Sequence, residues 1–258
     1  MKDFVTPHIR IMPKLGQEIW IQKLAAMNRL HHNTEYETVK YGIRKAAIIH
    51  VDQYNLDELL TKFNRDGLVY TPILKSGIYQ GYSHCHKPVG PNDPFFWYGS
   101  VTKTYEEGQK FKEAELKSDH LTIGTLLGFP ECCINYFIKW FPKNYDPIWA
   151  DRNGAVVGYP ECNQMFRYFG ARITTHFSCS PNCKKTREVG KKWFEIMKKI
   201  DKNTSADLYQ LLIEPVVWNS YHGVVQTENK YFVGVTQSFP YIKKPRIIKW
   251  IGGVTHLN

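Results

Sequence analysis

At 258 residues the chain is long enough for one large domain or two small ones, and it can bury a substantial core. Aromatic residues make up 14% of it, and the formal charge is +10, a basic excess that favours polyanions such as nucleic acid as partners. No run approaches the ~20 apolar residues that a bilayer span requires, and Met1-Lys2-Asp3-Phe4 lacks the charged and apolar regions of a secretory signal. The reading therefore excludes a membrane partner and expects a cytoplasmic location, where thiols stay reduced and clustered cysteines serve metals or catalysis rather than disulfides.

The first part reads as mixed α/β. Helical spacing runs from Gly16 to about Leu30 through Ile19, Leu24, Ala25 and Met27. Ala46 to Val51 is a short apolar run that predicts a buried strand. Asn55 is placed to cap a helix carrying Leu56, Leu59, Leu60 and Phe63, with Gly67 just past its end. Leu68 to Leu74 predicts a second strand, so the order strand–helix–strand implies a βαβ unit or an α+β layer. Residues 76–103 hold Gly77, Gly81, Pro88, Gly90, Pro91, Pro94 and Gly99 and read as a long irregular segment. It contains His84-Cys85-His86 and the run Phe95-Phe96-Trp97-Tyr98, which argues for packing.

From Thr104 to about Lys202 the pattern is mainly helical. Glu106 to Lys117 is one helix, Ser118 or Asp119 caps the next, and Gly128 ends it. Pro130 opens a third, a further helix begins at Pro160, and the last runs from Pro181. Past Leu211 the pattern becomes β. Val216 to Thr227 and Lys230 to Thr236 suit a hairpin turning at Glu228-Asn229, and Arg246 to Ile251 adds a strand. The expected class is α+β: an α/β part (1–103), a helical, cysteine-rich part (104–205) and C-terminal antiparallel strands (206–258), integrated as one domain over 1–258.

Three Pro-x-Cys triplets stand out: Pro130-Glu131-Cys132, Pro160-Glu161-Cys162 and Pro181-Asn182-Cys183. Proline suits a first helical position, so each cysteine is expected in a helix's first turn, where unpaired N–H groups and the positive end of the dipole favour a thiolate. Five of the six cysteines (132, 133, 162, 179 and 183) lie in this segment. Cys132, Cys179 and Cys183 form the core of a candidate metal site. Cys162 is a further candidate ligand, and Cys133, on the other face of its helix, is expected in the core. Zinc takes four tetrahedral N/S ligands, and iron–sulfur clusters are held by thiolates. An iron–sulfur cluster is placed slightly ahead of zinc, because several helix-start thiolates among many aromatics suit a shielded pocket. His176 and Glu131 are the candidates for proton transfer. The last helix carries Lys184, Lys185, Arg187, Lys191 and Lys192 on one face, the candidate contacts to nucleic-acid phosphates.

Gly-Phe-Pro-Glu-Cys-Cys (128–133) followed by His-x-x-Cys-Ser-x-x-Cys (176–183) resembles a poorly characterised prokaryotic and viral family. That family has a Gly-(Tyr/Phe)-Pro-x-Cys-Cys motif and a later His-x-Pro-Cys-Ser-x-x-Cys motif. The likeness covers about a third of the chain, with Ser178 where the family pattern has proline. It implies that the cysteines form one site and implies no reaction. Leu121 to Gly128, with the helix from Pro130, also resembles a helix-turn-helix, although Cys-Cys-Ile-Asn-Tyr-Phe-Ile-Lys-Trp-Phe is too apolar to read a groove.

The sequence thus points to a cysteine-ligated metal protein, iron–sulfur or zinc, acting as an enzyme on a nucleotide or nucleic acid. One alternative is a transferase or hydrolase with Cys132 or Cys133 as nucleophile and His176 or His84 as base. Another is a zinc-stabilised or helix-turn-helix nucleic-acid-binding protein.

Overall fold

A computed structural model describes residues 9–12, 17–77, 88–141, 148–219, 224–228, 231–234 and 247–253. The fold is of the α+β class, as the sequence predicts. In chain order its elements are β1 (Ile9–Met12), α1 (Gln17–Lys40), β2 (Ala46–Asp52), α2 (Leu56–Arg65), β3 (Val69–Gly77), β4 (Phe95–Thr102), α3 (Tyr105–Leu116), α4 (His120–Leu126) and α5 (Glu131–Trp140). They continue with β5 (Gly154–Gly158), α6 (Lys184–Ile200), α7 (Lys202–Ile213), β6 (Val216–Asn219), β7 (Val224–Gln226), β8 (Tyr231–Gly234) and β9 (Ile247–Gly253). The chain divides into two compact units, the first built from Glu35–Ile134 and the second from Asp3–Thr34 with Asn135–Asn258. Each has its own sheet.

The first unit holds a three-stranded sheet in the order β2-β4-β3. Both outer strands run antiparallel to β4, so β2 and β3, joined through α2, are parallel with β4 inserted between them. Alternation along the strands sends neighbours to opposite faces. Ala47 and Val101 pack with Tyr36, Val39, Phe63 and Leu68, whereas Ala46 packs with Phe111, Leu126 and Leu127. The sequence reading of 76–103 as irregular is corrected at Phe95–Thr102, where aromatic and β-branched residues form the central strand. Gly99 is no breaker there: a Cβ on it would lie 2.6 Å from the Tyr70 hydroxyl and 2.6 Å from the Thr71 carbonyl, so glycine is what the close approach requires.

Capping in this unit follows the sequence at Asp119 but not at Asn55, which sits before α2 with no side-chain bond to the helix start. Thr104 starts α3 by accepting from the Glu107 amide, and the Asp119 carboxylate starts α4 by accepting from Thr122 N at 3.1 Å. Gly128 ends the α4 turn at φ +71°, with the side chain of Arg44 closing the space where a Cβ would go.

The second unit carries a six-stranded sheet in the order β1-β8-β7-β6-β9-β5, antiparallel except for the β5–β9 pair. The expected pairing with the strand after Thr227 is present as β7 and β8, with Gln226 opposite Tyr231, but Val216 to Thr227 is corrected from one strand to two, β6 and β7, which pair antiparallel with Val217 opposite Gln226. Its core is aromatic. Trp149 and Trp250 are stacked with ring centroids 5.9 Å apart, and Phe232 takes edge contacts from Trp20, Phe166 and Phe169.

Three helix predictions need correction here. Pro160 opens only a single 3-10 turn, Pro160–Cys162, because Asn163 leaves the helical region at ψ 114° and its amide side chain bonds the Leu212 carbonyl instead. The last long helix starts at Lys184 rather than Pro181, with Cys183 as its N-cap. The sequence also missed α7: Asp201 ends α6 and at once caps α7 through Thr204 N at 2.9 Å.

Candidate metal centre

The thiols of Cys132, Cys133, Cys179 and Cys183 all lie within 4.8 Å of one another and can hold a metal ion. Local rules explain the convergence. Cys132 and Cys133 occupy the first turn of α5, whose opening bonds are Cys133 N to Pro130 O at 2.8 Å and Ile134 N to Pro130 O at 3.0 Å. Side chains of a helix lean toward its N-terminus, so two adjacent first-turn cysteines both project past the helix end despite facing different sides. Their sulfurs are 3.9 Å apart. The expectation that Cys133 serves only the core misses this tilt: Cys133 is 2% exposed and also one of the four.

On the other side, Cys183 is the N-cap of α6, and its sulfur accepts the Thr186 amide at 3.4 Å. A sulfur there sits at the positive end of the helix dipole, an environment that favours thiolate. Cys179 lies four residues earlier in the turn that leads into the cap. Cys133 and Cys183 are buried, while Cys132 and Cys179 are partly open to solvent.

α5 is one unbroken helix, and its later turns are held by groups around this turn. Phe137 stacks on Phe177 and on Phe141 at centroid distances of 6.0 and 4.5 Å, and Tyr136 donates to Asp151 at 3.2 Å. The Arg167 guanidinium covers the far face of this stack, 4.0 Å from the Phe177 centroid.

Cys162 lies outside the group of four. It is fully buried, its thiol is 3.5 Å from the Cys183 carbonyl, and burial, reinforced by Cys183 and Glu161, pushes its pKa far up. His176 is 4% exposed, and its Nε2 lies 2.9 Å from the Thr186 hydroxyl. Burial first, and Arg167 second, push its pKa down to about 3, so the imidazole is neutral at physiological pH. Glu131 is exposed in the first turn of α5, where a carboxylate complements the dipole. Lys184, Lys185, Lys191 and Lys192 are exposed on α6, and Arg187 is half-buried over the Tyr159 ring at 4.4 Å. His84-Cys85-His86 lies outside the described residues. In the α4–α5 pair that suggested a helix-turn-helix, Cys133, Ile134 and Tyr136 of the second helix are buried.

Sequence reasoning passed over two supporting residues. Thr186 joins His176 to Cys183, accepting or donating at its hydroxyl while its amide caps the sulfur. Ser178 is fully buried: its hydroxyl donates to the Cys162 carbonyl at 3.0 Å and accepts from the Trp149 indole at 3.2 Å. A proline there could make neither bond. No helix among the described residues is long and apolar enough to cross a membrane. Comparison with family profiles, curated proteins and solved structures returns no match for this chain.

Proposed function

We propose that Cys132, Cys133, Cys179 and Cys183 bind one zinc ion as four thiolates, and that the centre is structural. The observation that carries this is the mutual spacing of the four sulfurs, all within 4.8 Å with one pair at 3.9 Å. A tetrahedral ion with Zn–S near 2.3 Å needs sulfurs about 3.8 Å apart, a small contraction from this arrangement. An iron–sulfur cluster inserts iron and sulfide atoms between opposing thiolates and calls for a wider spread, so the spacing favours zinc over the cluster that the sequence reading placed ahead. Four protein ligands leave no open coordination position, which is the mark of a structural rather than a catalytic zinc.

Under this reading His176 and Glu131 are not proton carriers. His176 steadies Thr186 and through it the Cys183 cap, and Glu131 complements a helix start. Cys162 stays a neutral buried thiol. The partner is a polyanion, with nucleic acid the class that the basic charge suits. The test is anaerobic purification followed by elemental analysis and a visible spectrum. One zinc per chain in a colourless protein is the expected result. Iron with acid-labile sulfide and a brown colour would return the assignment to a cluster, and a metal-free protein that keeps its fold in chelator would remove the metal altogether.

A further inference from the structure

The charge of this protein is not spread over the chain. Asp3–Thr34 with Asn135–Asn258 holds 22 Lys and Arg against 11 Asp and Glu, whereas Glu35–Ile134 holds 11 against 13. Within the basic unit the densest array is α6. It carries Lys-Lys at 184–185, 191–192 and 198–199, and these pairs recur every seven residues. Seven residues are two turns and a rise of about 10.5 Å, so the pairs fall on one side of the helix in a straight row. Lys184, Lys185, Lys191 and Lys192 are exposed, and Glu188 and Glu195 are the acidic residues of the helix. Glu195 is engaged by Lys198 at 2.6 Å.

We propose that this face of α6 contacts the sugar–phosphate backbone of double-stranded nucleic acid, an inference that rests on the polyanion half of the reading above and not on the metal. Three features select this partner. Lysine is a point charge that binds phosphate without the planar fork used to read base edges, so the contact is to backbone and not to sequence. The exposed face offers no stacking platform for unpaired bases, because Trp193 is 2% exposed and Phe194 packs on Tyr209 at 5.2 Å. The apolar stripe is already covered, with Trp193, Ile196 and Met197 buried, so the helix has no free apolar face for an anionic bilayer. A rigid row of paired charges about 10.5 Å apart suits the walls of a groove some 12 Å wide, within reach of lysine stems.

The experiment is a salt titration of the intact, zinc-assayed protein on a non-specific duplex of about 20 base pairs between roughly 50 and 200 mM salt. Replacing Lys184, Lys185, Lys191 and Lys192 by Gln together is expected to lower the slope of log K against log[salt] by about 3 to 4, with at least roughly a hundredfold weaker binding near 100 mM. Control replacements K103Q, K110Q and K117Q in the first unit are expected to leave the slope unchanged. An unchanged slope in the α6 variant, with binding retained, overturns the assignment to α6 but keeps a polyanion partner. No salt-dependent binding by the wild type to duplex, single strand or anionic vesicles overturns both. Tighter binding to the single strand or to the vesicles than to the duplex overturns the choice of duplex. Equal melting temperatures for the variant and wild type confirm that the comparison is between folded proteins.

Discussion

The two units reach stability by different means. The first closes a three-stranded sheet with aliphatic and aromatic packing on both faces and near-balanced charge, and its helix ends are capped by oxygen groups such as Thr104 and Asp119. The second unit carries a large positive charge and a long irregular run between β5 and α6. There α6 has a sulfur for its N-cap while α7 keeps the Asp201 carboxylate, and buried indoles and a serine hydroxyl hold the loops. Self-repulsion of that charge opposes compaction, and the run between β5 and α6, whose regular structure is two short 3-10 turns, supplies few backbone ladders to resist it. The proposed metal–thiolate centre would answer both needs, because it would fix irregular backbone with strong bonds at single points. The contrast predicts that perturbing Cys179 or Cys183 damages the second unit and spares the sheet of the first.

The largest effect is expected from the ligands. Cys183→Ser should lose zinc from most chains and cost about 4 kcal/mol, lowering Tm by roughly 10 °C, because it removes a ligand while the serine hydroxyl still caps α6. Hydrogen exchange should show the loss in α6 and α7, with protection of β2, β3 and β4 retained. Equal loss in the three-stranded sheet would break the contrast between the units.

A packing change comes next. A Cβ on Gly158 would meet the Pro181 carbonyl oxygen at 2.4 Å and its Cβ at 2.7 Å, next to the Tyr159 N to Pro181 O bond of 3.0 Å. Gly158→Ala should push the 179–183 turn away, costing about 2–3 kcal/mol and weakening zinc retention against a chelator. Retention equal to wild type would show that the turn is not rigidly coupled to β5.

The pH response sharpens the comparison further. The folded pKa of His176 is pushed down to about 3 by burial, against about 6.5 unfolded, so between these values the unfolded chain binds a proton that the folded chain refuses. Stability is therefore full above about 6.5 and falls as pH is lowered, by about 2 kcal/mol at pH 5. In the first unit Asp66 and Asp119 are shifted the other way, Asp66 by its bond to Tyr36 and Asp119 by its bonds to Thr122. Their contribution is present above the ordinary carboxylate value and is lost only as pH falls through still lower values. His176→Gln should flatten the loss between pH 6.5 and 5 in urea titrations. A slope equal to wild type would assign that loss to thiolate protonation alone. The smallest effect belongs to Ser178→Ala, about 1–2 kcal/mol for two buried hydrogen bonds, with zinc content unchanged.

Much of the first unit was legible in the sequence. Ala46 to Val51, Leu56 to Gly67 and Asp119 to Gly128 follow local rules of apolar run, helical spacing and glycine stop, although Asn55 makes no side-chain cap to α2, and local rules suffice where packing agrees with them. Phe95–Thr102 was hidden by the glycines and prolines around it, since only the partner strand reveals that Gly99 serves Tyr70. The cysteines were visible but their grammar was not. Pro-x-Cys recurs three times, yet the three copies fold as an α-helical first turn, a lone 3-10 turn and a turn whose cysteine is itself the N-cap of α6. Side-chain bonds at Asn163, Ser178 and Thr186 decide among these outcomes, and those of Asn163 and Ser178 reach residues far away in sequence, Leu212 and Trp149. The tilt of side chains toward a helix start was the one available signal that Cys133 turns with Cys132.

The central claim, four thiolates on one ion, is tested most directly by cobalt(II) titration of the reduced, demetallated protein, in wild type and in Cys133→Ser. The account predicts saturation at one equivalent with tetrahedral d–d bands and strong thiolate charge transfer, and a charge-transfer intensity lower by about a quarter in the variant. Identical spectra from the two proteins, or no tetrahedral band from the wild type, would contradict it.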